Sequence, residues 1–468
     1  MNKRALFLLL YFVAAAFVVT RAQTENPSVT RPRRVAAPSA TVAQAVQQPS
    51  PTSKAAPAQP QTTAPQPAPA TTTPSAPLSA PPVTSTLPAP QGSTGGPLSV
   101  PTLAPYAQAA PLQPARPIAP NKARARIVEA QRLMQTRLTP TASMMPSLYM
   151  VTVAALDQDS SQIHLMSIPK QTLLTRGADV ALVTSRGQSV RLRIVRPNYV
   201  NTSVVVSDAA TGRQLTPLLI EYPIEKGGIY REMAYYTSAH PALMSPELVK
   251  TGQNYVRTMV DLAAQRLKDK GIHIAPQLLD IAERLCIVEH VDHGRFMQEA
   301  RLSIYEEIYA LYALNELNTY RYSVSTAGAG GMVQMIPWTY QMIRQRHAAV
   351  GLNPDFVAGM RNHGNALEAM LLYINDTWRD LLLNPDVAYA FNSGLATQSE
   401  LVSAGYNSNP ARLGGYIRRG GNSWRYLIPR ETQMYLQIYK SFDSLMPLKL
   451  RAPLATPATT TTLPTPTG

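Results

Sequence analysis

Two glutamates stand where a carboxyl could act as an acid. Glu316 follows an apolar and aromatic stretch that includes Ile308, Leu311, Tyr312 and Asn315. Glu289 ends a second apolar stretch, in Cys286-Ile-Val-Glu289-His290-Val-Asp292-His293. A carboxyl held at the end of an apolar helix is partly stripped of water, which raises its pKa and keeps a proton available for general acid catalysis. The plainer reading of either residue is a solvated carboxylate at a helix end. What singles out Glu316 is the sequence behind it: Ser325, then Gly328-Ala329-Gly330-Gly331, then Gln334 and Pro337. The glycines allow positive φ and close backbone approach, and Pro337 suits the first turn of a new helix. The expected unit is a helix, an acidic residue, a loop, a tight turn and a second helix.

Other constellations carry less. His290 and His293 are three apart and could share a helix face with Asp292 nearby, but no second histidine or cysteine group is placed to complete a tetrahedral site. The single cysteine, Cys286, excludes an intrachain disulfide, a four-cysteine zinc site and an iron–sulfur cluster. No metal and no cofactor are expected. The histidines read as polar lining or local salt bridges, and Cys286 as helix packing. Tyr305, Tyr309 and Tyr312, spaced i, i+4, i+7, read as core.

The segment from Glu316 to Pro337 resembles the soluble lytic transglycosylase family, whose fold is related to goose-type lysozyme. In that family a catalytic Glu is followed by a Ser, a Gly-Ala-x-Gly turn and a Met-Gln-x-x-Pro run. Glu316, Ser325, Gly328, Gly331, Gln334 and Pro337 match these without a gap. A second family motif, Ala-Tyr-Asn-Ala-Gly, is similar to Ala390-Phe391-Asn392-Ser393-Gly394, with a looser echo at Gly405-Tyr406-Asn407-Ser408-Asn409. A third is similar to Glu431-Thr432, with Tyr435 following. The likeness covers residues 276–442. It departs from the family where Leu317 stands in place of a serine, where Tyr320-Arg321 replaces an Asn-Pro pair, and where Phe391 replaces a tyrosine.

The resemblance implies a peptidoglycan lytic transglycosylase. Glu316 would be the acid, with Glu289 as runner-up because it lies 45 residues before Gln334 against 18 for Glu316. Ser325, Gln334, Phe391 and Asn392 would bind substrate, while Gly328, Gly331 and Glu431 would support the site. Glu431 reads equally as a carboxylate favoured by a helix N-terminus, and Tyr406 as the source of the hydroxyl that Phe391 lacks. The implied reaction cleaves the bond from N-acetylmuramic acid to N-acetylglucosamine and leaves 1,6-anhydromuramoyl ends. Hydrolysis by water is one alternative. A catalytically weak or inactive peptidoglycan-binding scaffold in an envelope assembly, suggested by Leu317 and Phe391, is the other.

These residues need a frame, and composition outlines it. The chain has 468 residues, 42 prolines and a net charge of +15, too long for a single core. Met1–Arg4 carries two positive charges, Ala5–Val19 is apolar, and Thr20-Arg21-Ala22 offers small residues at a cleavage site. Residues 1–22 thus read as a signal peptide; the alternative is an uncleaved anchor, for which the run falls short of the roughly 20 residues a span needs. Export to a bacterial periplasm or cell envelope follows, with no stable transmembrane segment after cleavage. Residues 23–120 hold 23 of the prolines and read as a disordered Pro/Ala/Thr-rich linker or tether. Residues 447–468 read as a disordered tail. Only about +8 of the charge lies beyond residue 120, dispersed and without a basic stripe interleaved with aromatics, so nucleic acid is not an expected partner.

The expected fold is mainly α: a lysozyme-like helical domain (246–446) preceded by a small β-rich module (121–245). Strands are expected at 150–154, 162–168, 179–184, 190–195 and 202–206, with a hairpin turn at 185–188, after a short helix at 124–138. Helical spacing recurs from Pro246 and over 276–291, 299–315, 338–347, 365–381 and 430–442. Expected partners are peptidoglycan glycan strands, and envelope proteins through the β-rich module or the Pro-rich tether.

Overall fold

The computed structural model describes residues 110–137 and 147–452. The expected signal peptide, the linker up to residue 109 and the tail after 452 lie outside the described residues. The chain is folded from residue 110, ten residues before the expected end of the linker: Gln113 N–H donates to Gly212 O and Ile118 N–H to Ala242 O. Helix α1 (Pro120–Thr136) starts with Pro120 in its first turn and buries Ala123, Ile127, Ala130 and Met134. That spacing of four, three and four makes one apolar stripe. It packs on Leu156, Ile163, Leu218 and Leu219 of the sheet.

The sheet is antiparallel and has seven strands. They are β1 (Met150–Asp157), β2 (Gln162–Pro169), then a one-turn helix α2 (Lys170–Leu173), β3 (Asp179–Val183), β4 (Ser189–Arg196), β5 (Ser203–Asp208), β6 (Gln214–Lys226) and β7 (Ile229–Tyr236). The order is β2-β1-β6-β5-β4-β3, and β7 also pairs with β6. Ser185 at the β3–β4 turn exchanges hydrogen bonds with Leu165 of β2, so the sheet curls back on itself. The first five strands lie within three residues of expectation at each end. Strands β6 and β7 were not anticipated. Pro217 and Pro223 interrupt β6, and proline normally argues against an interior strand. Pro217 lies next to a register shift at Ala154/Ala155, a bulge that takes up the irregularity.

The helical part begins with α3 (Pro246–Asp269), capped by the Ser245 hydroxyl, which accepts from Leu248 N–H. Next come α4 (Pro276–Val288), α5 (His293–Gln298), α6 (Arg301–Asn315), α7 (Pro337–Arg346), α8 (Phe356–Arg361) and α9 (His363–Leu382). The last helices are α10 (Pro385–Asn392), α11 (Gln398–Asn407), α12 (Leu413–Gly420), α13 (Trp424–Leu427) and α14 (Arg430–Leu445). Gly252 lets α3 touch α6: a Cβ there would lie 1.9 Å from Tyr309 O. Helix α4 is the hub, buried at every residue from Leu278 to Val288. Its charged residues are paired, Glu283 and Asp280 with Arg451 at 2.7 and 2.8 Å. Arg451 also pairs with Asp261 of α3, so residues 447–452, expected within the tail, strap α3 to α4.

The sheet and the helices share one apolar core, running from Val151 and Val206 to Leu285 and Phe442. The expected two modules are therefore fused across this core. Asn315 joins them by accepting from Thr237 N–H at 2.8 Å and donating to Thr237 O at 3.0 Å. A smaller core lies under α10 to α13, built on Val387, Ala390, Leu413 and Trp424. Among the described residues no helix is long and apolar enough to cross a membrane.

Candidate functional site

The Gly-rich segment forms a tight loop between α6 and α7. Ser325 N–H donates to Ala329 O, Gly330 N–H to Met335 O and Gly331 N–H to Ser323 O. Gly328 and Gly331 take positive φ, and a Cβ on Gly331 would sit 2.3 Å from Met360 O. Glycine is thus required at Gly331 by both backbone angle and space. The Ser325 hydroxyl accepts from Ala329 N–H at 3.0 Å and serves the turn itself. Five non-glycine residues of the described chain have positive φ, and three of them, Glu316, Tyr320 and Gln334, fall in this segment. Such strain persists only where the surroundings impose it, and it concentrates at functional sites.

Gln334 is buried at 7% exposure. Its Nε2 donates to Gly331 O at 2.8 Å, whereas its Oε1 is buried with no hydrogen-bond partner. A buried acceptor is normally paired, so this carbonyl is a point of unused binding capacity.

Glu316 caps the C-terminus of α6 with its side chain exposed. The desolvation expected there is absent. Its charge reaches Tyr255, whose phenol is pushed well above its usual range, first by burial and then by Glu316. Tyr255 Oη and His363 Nδ1 are 2.9 Å apart, and His363 Nε2 lies 2.9 Å from Thr319 O. The Nε2 proton therefore goes to the carbonyl and Nδ1 accepts from the phenol, a neutral ring. Burial lowers the pKa of His363 to about 4.

Glu289 is in a different setting. It caps the buried helix α4 and is 3% exposed. The Tyr435 hydroxyl donates to its Oε1 at 2.6 Å. Tyr435 comes from α14, whose first turn carries Glu431, half-buried and placed to face the positive helix end. Tyr406, at the end of α11, donates to Val333 O at 2.7 Å; burial first, and then the Glu289 charge, push its phenol upward. The next residue, His290, has Nε2 2.9 Å from Met332 O and stacks on Tyr320 at 3.5 Å between ring centres. The Gly-rich loop, the end of α11 and the start of α14 therefore meet around Glu289.

Phe391 and Asn392 lie elsewhere. Phe391 sits edge-on to Trp378 at 5.0 Å, and Asn392 ends α10 in the open. Their helix packs on α9 and α12 over the smaller core. The tyrosine that touches the Gly-rich loop is thus Tyr406, from the looser of the two echoes. In sequence Tyr435 is distinguished only by following Glu431-Thr432. Its contact with Glu289 spans 146 residues and leaves no trace in local spacing. Cys286 and the three tyrosines of α6 are fully buried, and the thiol pKa is pushed above its usual range, chiefly by burial. Asp292 caps α5 through Arg295 N–H. Among the described residues no three His, Cys, Asp or Glu side chains converge to hold a metal ion.

No family model, no curated protein and no solved structure matches the chain.

Proposed function

We propose that this protein is a lytic transglycosylase of the bacterial cell envelope, with a lysozyme-like helical part that acts on peptidoglycan glycan strands and uses Glu289 as its acid. The observation that supports this reading is the meeting near Glu289 of segments that resemble the family: Tyr435, after Glu431, donates to it, Tyr406 donates to Val333 O of the loop, and the neighbouring His290 lies against Met332 O. Glu289 is 3% exposed, and a carboxyl held away from bulk water is a setting used for general acid catalysis. Spacing favours Glu316, but α4 ends beside the Gly-rich loop, where His290 meets Met332 O, with α5 and α6 interposed in sequence. Distance along the chain is then a poor guide, and burial supports Glu289.

In this reading Glu289 passes its proton to the oxygen linking N-acetylmuramic acid to N-acetylglucosamine. The anomeric C–O bond breaks with assistance from the sugar's own N-acetyl oxygen. The 6-hydroxyl oxygen then bonds to the anomeric carbon, its proton returns to Glu289, and a 1,6-anhydro end results. A second protein carboxylate, usual in glycosidases, is unnecessary because the substrate supplies both nucleophiles. Tyr435 orients the carboxyl, and the free Gln334 Oε1 accepts from the substrate amide.

The deep burial of Glu289 also favours a second reading, a glycan-binding scaffold without turnover. Incubation with purified sacculi and mass analysis of the released muropeptides separates the two. Anhydro products lost in Glu289→Gln support the enzyme, whereas glycan binding without product supports the scaffold.

A further inference from the structure

The smaller helical core carries a feature that the glycan reading does not use. A cavity of about 350 Å³ opens between the start of α10 and helix α12, lined by Asp386, Arg412, Gly415, Tyr416, Arg418 and Arg419. Three guanidinium groups thus share one small concavity. Asp386 is the only carboxylate among its lining residues, 3.4 Å from Arg418. Arg412 and Arg419 have no ion pair within 4.0 Å among the described residues, and Arg419 lies over the Tyr416 ring at 5.3 Å. This differs from the arginines near the fused core. Arg295 is shared by Glu299 and Glu307, and Arg451 by Asp261, Asp280 and Glu283.

Like charges held together raise the local potential and attract multivalent counter-ions. The guanidinium fork matches the oxygen pairs of carboxylate and phosphate. The floor is open because position 415 is glycine: a Cβ there would meet only Arg419 Nη1, at 3.5 Å. By contrast, Gly414 is pressed on the Asn384 side chain that caps α10, at 2.5 Å from a built Cβ, which holds the two walls in register. We propose that this cavity is a binding site for an oxyanion ligand carrying two or more negative charges, a phosphate ester or a polycarboxylate. The site is independent of the glycan reading and shares no residue with it.

The test is calorimetric titration of the full chain with pyrophosphate and, separately, citrate at low salt. At least one probe binds saturably at one site per chain. Its affinity falls about tenfold or more in Arg412→Gln/Arg419→Gln, equivalent to about 1.4 kcal/mol. Gly415→Met fills the floor without removing charge, suits a helix better than glycine, and weakens binding by a similar factor. Asp386→Asn removes the competing carboxylate and tightens binding. Preference for pyrophosphate identifies phosphate chemistry, and preference for citrate identifies carboxylates; either supports the site. Binding unchanged in both the double variant and Gly415→Met, or no saturation with either probe, overturns it.

Discussion

The pair Tyr435–Glu289 makes a prediction that needs no substrate. The hydrogen bond is 2.6 Å long, and its partners are 0% and 3% exposed. It is therefore not weakened by solvent as a surface contact would be. Removing a donor from a buried carboxyl costs about 1–3 kcal/mol, the value expected for Tyr435→Phe. Glu289→Met removes the acceptor of this hydrogen bond and costs about 1–3 kcal/mol. With both changed, two apolar side chains face one another and the loss is smaller than the sum. Urea unfolding of the four proteins in a double-mutant cycle gives a coupling of about 1–2 kcal/mol. Glu316→Met, at an exposed helix end, stays within about 0.5 kcal/mol of wild type. A coupling near zero, or a larger loss at Glu316 than at Glu289, refutes the reasoning that burial distinguishes the two acids.

His363 and His240 are both buried, and burial lowers each pKa from 6.5 to about 4. Above pH 6.5 both states are neutral and neither ring contributes to the pH dependence. Between pH 6.5 and about 4 the unfolded chain takes up protons that the folded chain refuses, so stability falls by about 3 kcal/mol per ring and levels off below. Urea midpoints from pH 7 to pH 4 in wild type and His363→Gln check this; an unchanged slope in the variant contradicts it. Gly331→Ala forces a Cβ to 2.3 Å from Met360 O at a positive φ, so a loss of about 3 kcal/mol or more is expected, read by thermal unfolding. Gly271→Ala, also at positive φ but with nothing within 4 Å, costs about 1 kcal/mol, and equal losses at the two positions count against the crowding argument.

Much of the frame was legible because burial leaves a period in the sequence. Strands β3 and β4 alternate, and α1, α3 and α14 carry single apolar stripes at helical spacing. Strand β6 was hidden by its two prolines and by burial on both faces, which erases alternation. The fusion of sheet and helices through Asn315, and the strap ending in Arg451, are contacts between distant segments with no local signature. The candidate site divides in the same way. The Gly-rich loop was readable from composition, since positive φ and close approach demand glycine. Which acid it faces was not, because two apolar stretches end in glutamate and only their packing tells one from the other.

The proposed role of Glu289 is that of the acid in a glycan-cleaving site. The direct measurement is the anhydromuropeptide yield from sacculi for wild type, Glu289→Gln and Glu316→Gln, each with its fold checked by circular dichroism. With Glu289 as the acid, wild type and Glu316→Gln release anhydro products, and Glu289→Gln releases none above background. Full yield from Glu289→Gln, with loss in Glu316→Gln, would contradict it.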